Sequence, residues 1–320
     1  MQALHVLGKP VSHSRSPIFH NAALRAAGLP EVYSALEVSP EELADVAARV
    51  RSERVLGANI TLPYKELAAS LADRVTPAVE ATGVANTWWS EGGVLWADNT
   101  DIHGLQMSFA ALLGARLARR VVVLGAGGAA QAAIFALAPV VEELSLVNRT
   151  LSKAEDALSR ASSWMGEGVR LEALAWASAG DASALVVNER LASADLVIQA
   201  SSIPVLSPGD EAPFSSLALE RVGEGGGALL ELCYASEPTV PMRRAALGGA
   251  RVLDGATMLL HQGARSFERW VGARPDVVVM RDALADALGR PRGEIVAEIP
   301  EEVRALWGAA PPREARCNLV

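Results

Sequence analysis

Val121-Val-Val-Leu-Gly125-Ala-Gly127-Gly128-Ala-Ala130 runs an apolar, β-branched strand into a glycine turn and then into small residues that favour a helix. Gly125 permits a tight turn, and Gly127 lets backbone N–H groups approach a pyrophosphate at the helix N-terminus. Ala130 stands where a small residue allows close packing of helix on strand. The next apolar run, Leu144–Val147, ends in Asn148-Arg149-Thr150, where an NAD site would carry an acidic residue for the ribose 2′-hydroxyl. A carboxylate there would repel a 2′-phosphate. Arg149, with Lys153 one helical step farther on, would attract it, so the motif predicts an α/β nucleotide domain that prefers NADP.

The 320 residues are 50% hydrophobic and 21% charged, enough apolar content for two globular domains with substantial cores. A net charge of −8 and the lack of any basic stripe argue against a nucleic-acid surface. Cys233 and Cys317 are too few for a disulfide framework or a cysteine metal site, so a reducing cytoplasm is expected, with Cys233 in an apolar strand of the core. Met1–Gly8 reads as a strand without the basic and long apolar regions of a signal peptide, and export is not expected. Val121–Val141 carries no charge, but its glycine cluster and Gln131 mark a strand and a buried helix rather than a membrane span.

Upstream of about Ser90 the pattern is that of a βα-repeating domain, with strands predicted at Ala3–Gly8, Val32–Glu37 and Val55–Ile60. Ser16-Pro17 reads as an N-cap followed by proline at the first helical position, and Ser39-Pro40-Glu-Glu42 as a capping box. Trp88 to Trp96 reads as a hairpin around Gly92-Gly93, its tryptophans serving packing. A helix from about Ile102 to Leu113 leads into the nucleotide domain, with further strands near Leu171, at Leu196–Ala200, Ala228–Tyr234 and Arg251–Leu253. From Asp254-Gly255 to Leu288 the pattern is helical. The tail from Arg290 carries one short predicted helix around Glu301–Trp307.

Reduction of a carbonyl leaves an alkoxide that must be protonated, so a domain joined to an NADP domain should offer a proton donor. Lys65, in Asn59-Ile-Thr61-Leu-Pro63-Tyr-Lys65-Glu66, and Asp101, in Asp98-Asn-Thr100-Asp101, both follow strand-like segments, where α/β sheets place ligand residues. Taken by themselves, Lys65 reads first as a solvated lysine at a helix start and Asp101 first as an N-cap, and composition and spacing do not overturn those readings.

Several motifs together resemble the shikimate dehydrogenases over nearly all of residues 3–289. They are His13-Ser14-Arg-Ser16-Pro17 with His20-Asn21, Asn59 to Glu66, Gly83-Val-Ala-Asn86-Thr87, Asn99-Thr100-Asp101, Gly125 to Ala130, Asn148-Arg-Thr150 and Met258 to Ala264. The resemblance implies reduction of 3-dehydroshikimate to shikimate with NADPH, in aromatic amino-acid (chorismate) biosynthesis. It implies that Ser14, Ser16 and Tyr234 hold the substrate carboxylate, that Asn59, Thr61, Asn86 and Gln262 read ring hydroxyls, and that Lys65 and Asp101 form the acid–base pair. Cofactor contacts are implied for Gly125, Ala126, Gly127, Gly128, Ala129, Asn148, Arg149, Thr150, Lys153 and Ser201.

The expected architecture is α/β: a substrate-binding and catalytic domain over 1–102, a Rossmann-type NADP domain over 103–253, helices over 254–289 packing back on the first domain, and a C-terminal extension over 290–320. The expected partner is a small-molecule substrate, with no nucleic acid, no membrane and no metal, in a monomer or homodimer. This chain departs from the family pattern at Gln199-Ala-Ser201-Ser-Ile203-Pro204, where the family has Asn-Ala-Thr and then a glycine, and at Ala97 and Ile102, which replace glycines. The alternatives within the resemblance are a quinate or aminoshikimate dehydrogenase on the same scaffold and a catalytically silent NADP-binding regulator. Ser16 favours shikimate, because relatives that use quinate often carry threonine there. Retention of Lys65 and Asp101 favours an enzyme.

Overall fold

The computed structural model describes residues 2–176, 182–206 and 209–308. Residues up to Gly104 together with Thr257–Glu298 form one compact unit, and Leu105–Ala256 with the described residues from Ile299 form a second.

The first unit is built on strands β1 (Ala3–Gly8), β2 (Val32–Glu37), β3 (Val55–Ile60), β4 (Arg74–Val75), β5 (Thr87–Glu91) and β6 (Val94–Asp98), in the order β2-β1-β3-β5-β6-β4. β1 pairs in parallel with β2 and β3, whereas β5 runs antiparallel to both β3 and β6. Leu4 to Gly8 are buried without alternation, the pattern of a parallel strand covered on both faces. Helix Pro40–Arg51 starts with the complete capping box at Ser39 and Glu42 and lays Leu43, Val46, Ala47 and Val50 on the core. The β5–β6 hairpin turns through Gly92 and Gly93, whose φ of 60° and 80° are those of a tight turn that glycine adopts freely. The Trp88 indole N–H donates to Ala68 O (3.0 Å) and that of Trp270 to Trp88 O (2.9 Å), so the tryptophans pack. Helix Val277–Leu288 packs on helix Ser16–Ala26.

The second unit contains β7 (Arg120–Leu124), β8 (Glu143–Asn148), β9 (Arg170–Ala175), β10 (Leu196–Gln199), β11 (Ala228–Glu231) and β12 (Arg251–Leu253), in the order β12-β11-β10-β7-β8-β9. Every pairing is parallel, which is the doubly wound order with its reversal between β7 and β10. Helix Glu301–Trp307 seats Trp307 against Phe109, with the indole N–H donating to Gly114 O (2.9 Å). No helix among the described residues is long and apolar enough to cross a membrane.

Several local expectations need correction. The first helix begins at Ser16 itself, with Arg15 as N-cap and Pro17 inside the first turn, because the Ser14 hydroxyl takes the Ser16 N–H (3.3 Å) and winds the chain one residue early. β10 stops at Gln199, whose side-chain amide bonds both the N–H and the C=O of Ser201 and so replaces the ladder. β11 stops at Glu231, whose carboxyl takes the Cys233 N–H (3.0 Å) and the Thr239 hydroxyl (2.8 Å). Cys233 therefore lies in a loop, half-buried, and not in a core strand. Cys317 lies outside the described residues.

Candidate active site

β3 delivers Asn59 and then a turn at Thr61, fixed by Thr61 N–H donating to Leu7 O (2.8 Å) and Tyr64 N–H to Thr61 O (3.0 Å). Lys65 is the first residue of helix Lys65–Leu71, and its carbonyl accepts from Ala85 N–H (2.9 Å), which ties it to the segment entering β5. From the far end of β6, Asp98 takes Arg269 through Nε (3.0 Å) and Nη2 (2.8 Å) and fixes the turn Asn99-Thr100. Helix Asp101–Leu113 then opens on Asp101, where the helix dipole favours a carboxylate.

Lys65 Nζ is ion-paired with Asp101 Oδ2, at side-chain exposures of 16% and 7%. The other Asp101 oxygen accepts from Asn86 Nδ2 (2.8 Å), which also lies 3.4 Å from Gln262 Oε1. Asn86 Oδ1 accepts from Thr100 N–H (2.8 Å), and from the hydroxyls of Thr87 (2.9 Å) and Thr100 (3.1 Å). A backbone N–H can only donate, so this contact decides which end of the Asn86 amide is oxygen and directs its N–H groups at Asp101. Lysine, aspartate and asparagine thus form a part-buried hydrogen-bonded cluster with its orientation set by the main chain.

Asn59 is turned inward. Its Nδ2 lies within reach of Asn86 O (3.1 Å), Thr87 Oγ1 (3.0 Å) and Ser266 Oγ (2.8 Å), and its Oδ1 accepts from Tyr33 Oη (2.8 Å). Burial pushes the Tyr33 hydroxyl well above its ordinary pKa, against a hydrogen bond with the Ser16 side chain. Ser16 is buried, and Ser14 and Thr61 are half-buried. Tyr234 is half-buried in the loop after β11, in the second unit. His20 is fully buried, stacked on Tyr33 (4.3 Å, 11°), and neither ring nitrogen has a partner; burial holds its pKa down at about 3, so the ring packs as a neutral group. No group of three or more His, Cys, Asp or Glu among the described residues is placed to hold a metal ion.

In the second unit the reversal of strand order opens at the carboxyl ends of β7 and β10. Gly125 has φ of +106°, and a Cβ there would lie 2.9 Å from Ser201 N, so glycine is required where the two loops meet. Around Gly127 a Cβ would meet nothing within 4 Å, which leaves space at the start of helix Gly128–Leu137, a helix with no side-chain cap on its first N–H groups. Ala126, Gly128 and Ala129 are half-buried along this rim. At the end of β8, Asn148 Nδ2 donates to Thr150 O (2.9 Å) and shapes the turn; Arg149 and Lys153 are exposed and have no ion-pair partner among the described residues. Uncapped backbone donors, room for a phosphate and two available cations without a carboxylate fit a 2′-phosphorylated dinucleotide.

The family model for the shikimate dehydrogenase substrate binding domain matches residues 6–88, and that for the shikimate 5′-dehydrogenase C-terminal domain matches residues 255–285. A curated relative named shikimate dehydrogenase (NADP(+)), from Cupriavidus pinatubonensis, is 37% identical over 297 residues, covering 90% of this chain and 95% of the relative. The chain belongs to the shikimate dehydrogenase family. A shikimate dehydrogenase crystallised in complex with NADP+ superposes with a TM-score of 0.79 at 30% identity, covering 90% of this chain and 96% of that one. The Thermus thermophilus shikimate 5-dehydrogenase in complex with NADP(H) and shikimate does so with a TM-score of 0.75 at 33% identity, covering 90% and 100%.

Within this member of the shikimate dehydrogenase family, the sequence reading missed the hydroxyls behind the pair. Thr87 and Thr100 stand beside Asn86 and Asp101 in the motifs Asn86-Thr87 and Asn99-Thr100-Asp101, and Ser266 lies two residues beyond the motif Met258 to Ala264. Its place four residues after Gln262 on one helix, and so on the same face, was the available signal.

Proposed function

We propose that the chain is an NADP-dependent oxidoreductase that interconverts 3-dehydroshikimate and shikimate, with Lys65 and Asp101 as its acid–base pair. The observation that carries this reading is the part-buried Lys65–Asp101 ion pair, oriented by Asn86, in a chain of this family. The bound cofactor would supply a hydride as NADPH in reduction and accept one as NADP+ in oxidation. In reduction the Lys65 ammonium donates its proton to the carbonyl oxygen as that oxygen gains charge; in oxidation neutral Lys65 takes the hydroxyl proton. Asp101 holds the Lys65 nitrogen with one oxygen and has lone pairs left on both for a neighbouring ring hydroxyl.

Substrate recognition is assigned to groups with hydrogen-bonding capacity to spare. The Ser14 hydroxyl receives the carboxylate with its free proton and the Ser16 hydroxyl by turning its proton from the Tyr33 oxygen, both without a buried cation. Thr61, the second Asn86 N–H and Gln262 read ring hydroxyls, and Asn59, whose N–H groups are committed inward, reads with its remaining Oδ1 lone pair. Arg149 and Lys153 receive the 2′-phosphate, and the first turn of helix Gly128–Leu137 the pyrophosphate. The acidic overall charge supports a small-molecule substrate over nucleic acid, and the two cysteines suit a reducing cytoplasm, where the chain would work as a monomer or homodimer in aromatic amino-acid biosynthesis.

The test is oxidation of shikimate and of quinate, each with NADP and with NAD, followed by reduced-nicotinamide absorbance. Activity confined to shikimate with NADP is expected. Dominant quinate or NAD activity would replace this reading with that of a sister enzyme, and NADP binding without turnover of either acid would favour a regulator.

A further inference from the structure

We propose that Ser266 is a positioning residue for the proton-transfer centre: its hydroxyl closes a buried triangle with Thr87 and Thr100 that holds Asn86, and through it Asp101, in the reactive arrangement. The inference rests on the function proposed above. The three oxygens are mutually within hydrogen-bond reach, at 2.9 Å for Thr87–Ser266, 3.0 Å for Thr100–Ser266 and 3.1 Å for Thr87–Thr100, and all three residues are buried.

Counting protons and lone pairs explains why the third hydroxyl matters. Asn86 Oδ1 has two lone pairs, one of which the Thr100 N–H occupies. The Thr87 and Thr100 hydroxyls both point at the remaining one, so one of them must donate elsewhere. Ser266 supplies that acceptor, because its own proton goes to Gln262 O (3.0 Å) one helical turn back, which leaves its lone pairs facing the threonines and Asn59 Nδ2. Without Ser266 Oγ the acceptors left to the two threonine hydroxyls are that single lone pair, on the group that orients Asp101, and each other across the longest edge of the triangle (3.1 Å), and an Asn59 N–H loses its shortest partner. In a site closed to water such a mismatch is relieved by rotating a side chain, and the side chain with a catalytic consequence is Asn86.

The test uses the full-length enzyme with Ser266→Ala, Thr100→Val and Thr100→Ser. Ser266→Ala and Thr100→Val should lower kcat for shikimate oxidation by roughly tenfold, the worth of one buried hydrogen bond, and change the pH profile of kcat; Thr100→Ser should restore most of the loss. NADP affinity measured by fluorescence titration should stay the same. In an Asn86→Ala background, Ser266→Ala should add no further loss, because the route through Asn86 is already gone. Wild-type kcat in Ser266→Ala, or an equal loss in both backgrounds, would overturn the inference, as would a lowered Tm with kcat per folded molecule unchanged. A wild-type enzyme that does not oxidise shikimate would overturn the proposed function and this inference with it, whereas an active wild type with an unaffected Ser266→Ala overturns the inference alone.

Discussion

Glu231 makes the stability of the chain depend on pH in a direction opposite to that of most carboxylates. It ends β11 fully buried, and burial raises its pKa from an ordinary 4.5 to about 7, against the opposing effect of the Cys233 and Thr239 hydrogen bonds; the charge of Asp254 adds to the rise. A carboxyl with a raised folded-state pKa binds its proton more tightly folded than unfolded. Its contribution is therefore fully present below pH 4.5 and is lost as pH rises through about 7. At 1.36 kcal/mol per unit, the total is about 3 kcal/mol, of which about 2.5 kcal/mol falls between pH 5 and pH 8. Glu231→Gln removes the titration while its Oε1 can keep the Cys233 N–H and its Nε2 can donate to Thr239. His20 titrates in the opposite sense over part of the same range, so the wild-type profile alone mixes the two. The difference between wild type and variant isolates Glu231. Urea unfolding of both proteins from pH 5 to pH 8 should show the variant gaining on wild type by about 2.5 kcal/mol across that range. Profiles that stay parallel to within about 0.5 kcal/mol would refute the reasoning, and would mean that Glu231 keeps its ordinary pKa in the fold.

Replacing Arg149 with Ser removes one of the two cations proposed to receive the 2′-phosphate and should weaken NADP binding by roughly tenfold to a hundredfold while leaving NAD binding unchanged; equal weakening of both cofactors in a titration would contradict the phosphate assignment. His20→Phe should stabilise the chain by about 1–3 kcal/mol at pH 7, because it removes two buried ring nitrogens without partners. The folded pKa of about 3 lies below the ordinary 6.5, so the neutral ring's contribution is present above pH 6.5 and lost as pH falls toward 3; acid unfolding monitored by circular dichroism should move to lower pH in the variant. A variant that unfolds at higher pH than wild type would mean that the imidazole makes a favourable polar contact.

The frame of both sheets was legible because it rests on short-range signals. β1, β2 and β3 fall where apolar runs between turn residues put them, and the capping box at Ser39 and Glu42 marks its helix start at the residue. The nucleotide loop was legible for the same reason, since a strand, a positive-φ glycine and a helix N-terminus follow one another in the chain. Strand ends were less legible where a side chain substitutes for the ladder, as Gln199 and Glu231 do, because nothing local marks such an exchange. The pairing of Lys65 with Asp101 joins residues far apart in sequence, and spacing alone leaves each with a plain alternative. Family resemblance supplied the pairing in advance of the fold. The supporting hydroxyls were illegible because Thr87, Thr100 and Ser266 are ordinary polar residues until β5, the turn after β6 and helix Gly255–Val271 converge.

In the proposed reaction Lys65 moves the proton. Steady-state oxidation of shikimate with NADP should be compared in wild type and Lys65→Ala, with shikimate binding measured separately by calorimetry. In Lys65→Ala, kcat should fall by about 10²–10⁴-fold while shikimate affinity changes far less, as expected for a group that acts in the transition state. A Lys65→Ala enzyme with near-wild-type kcat would contradict it.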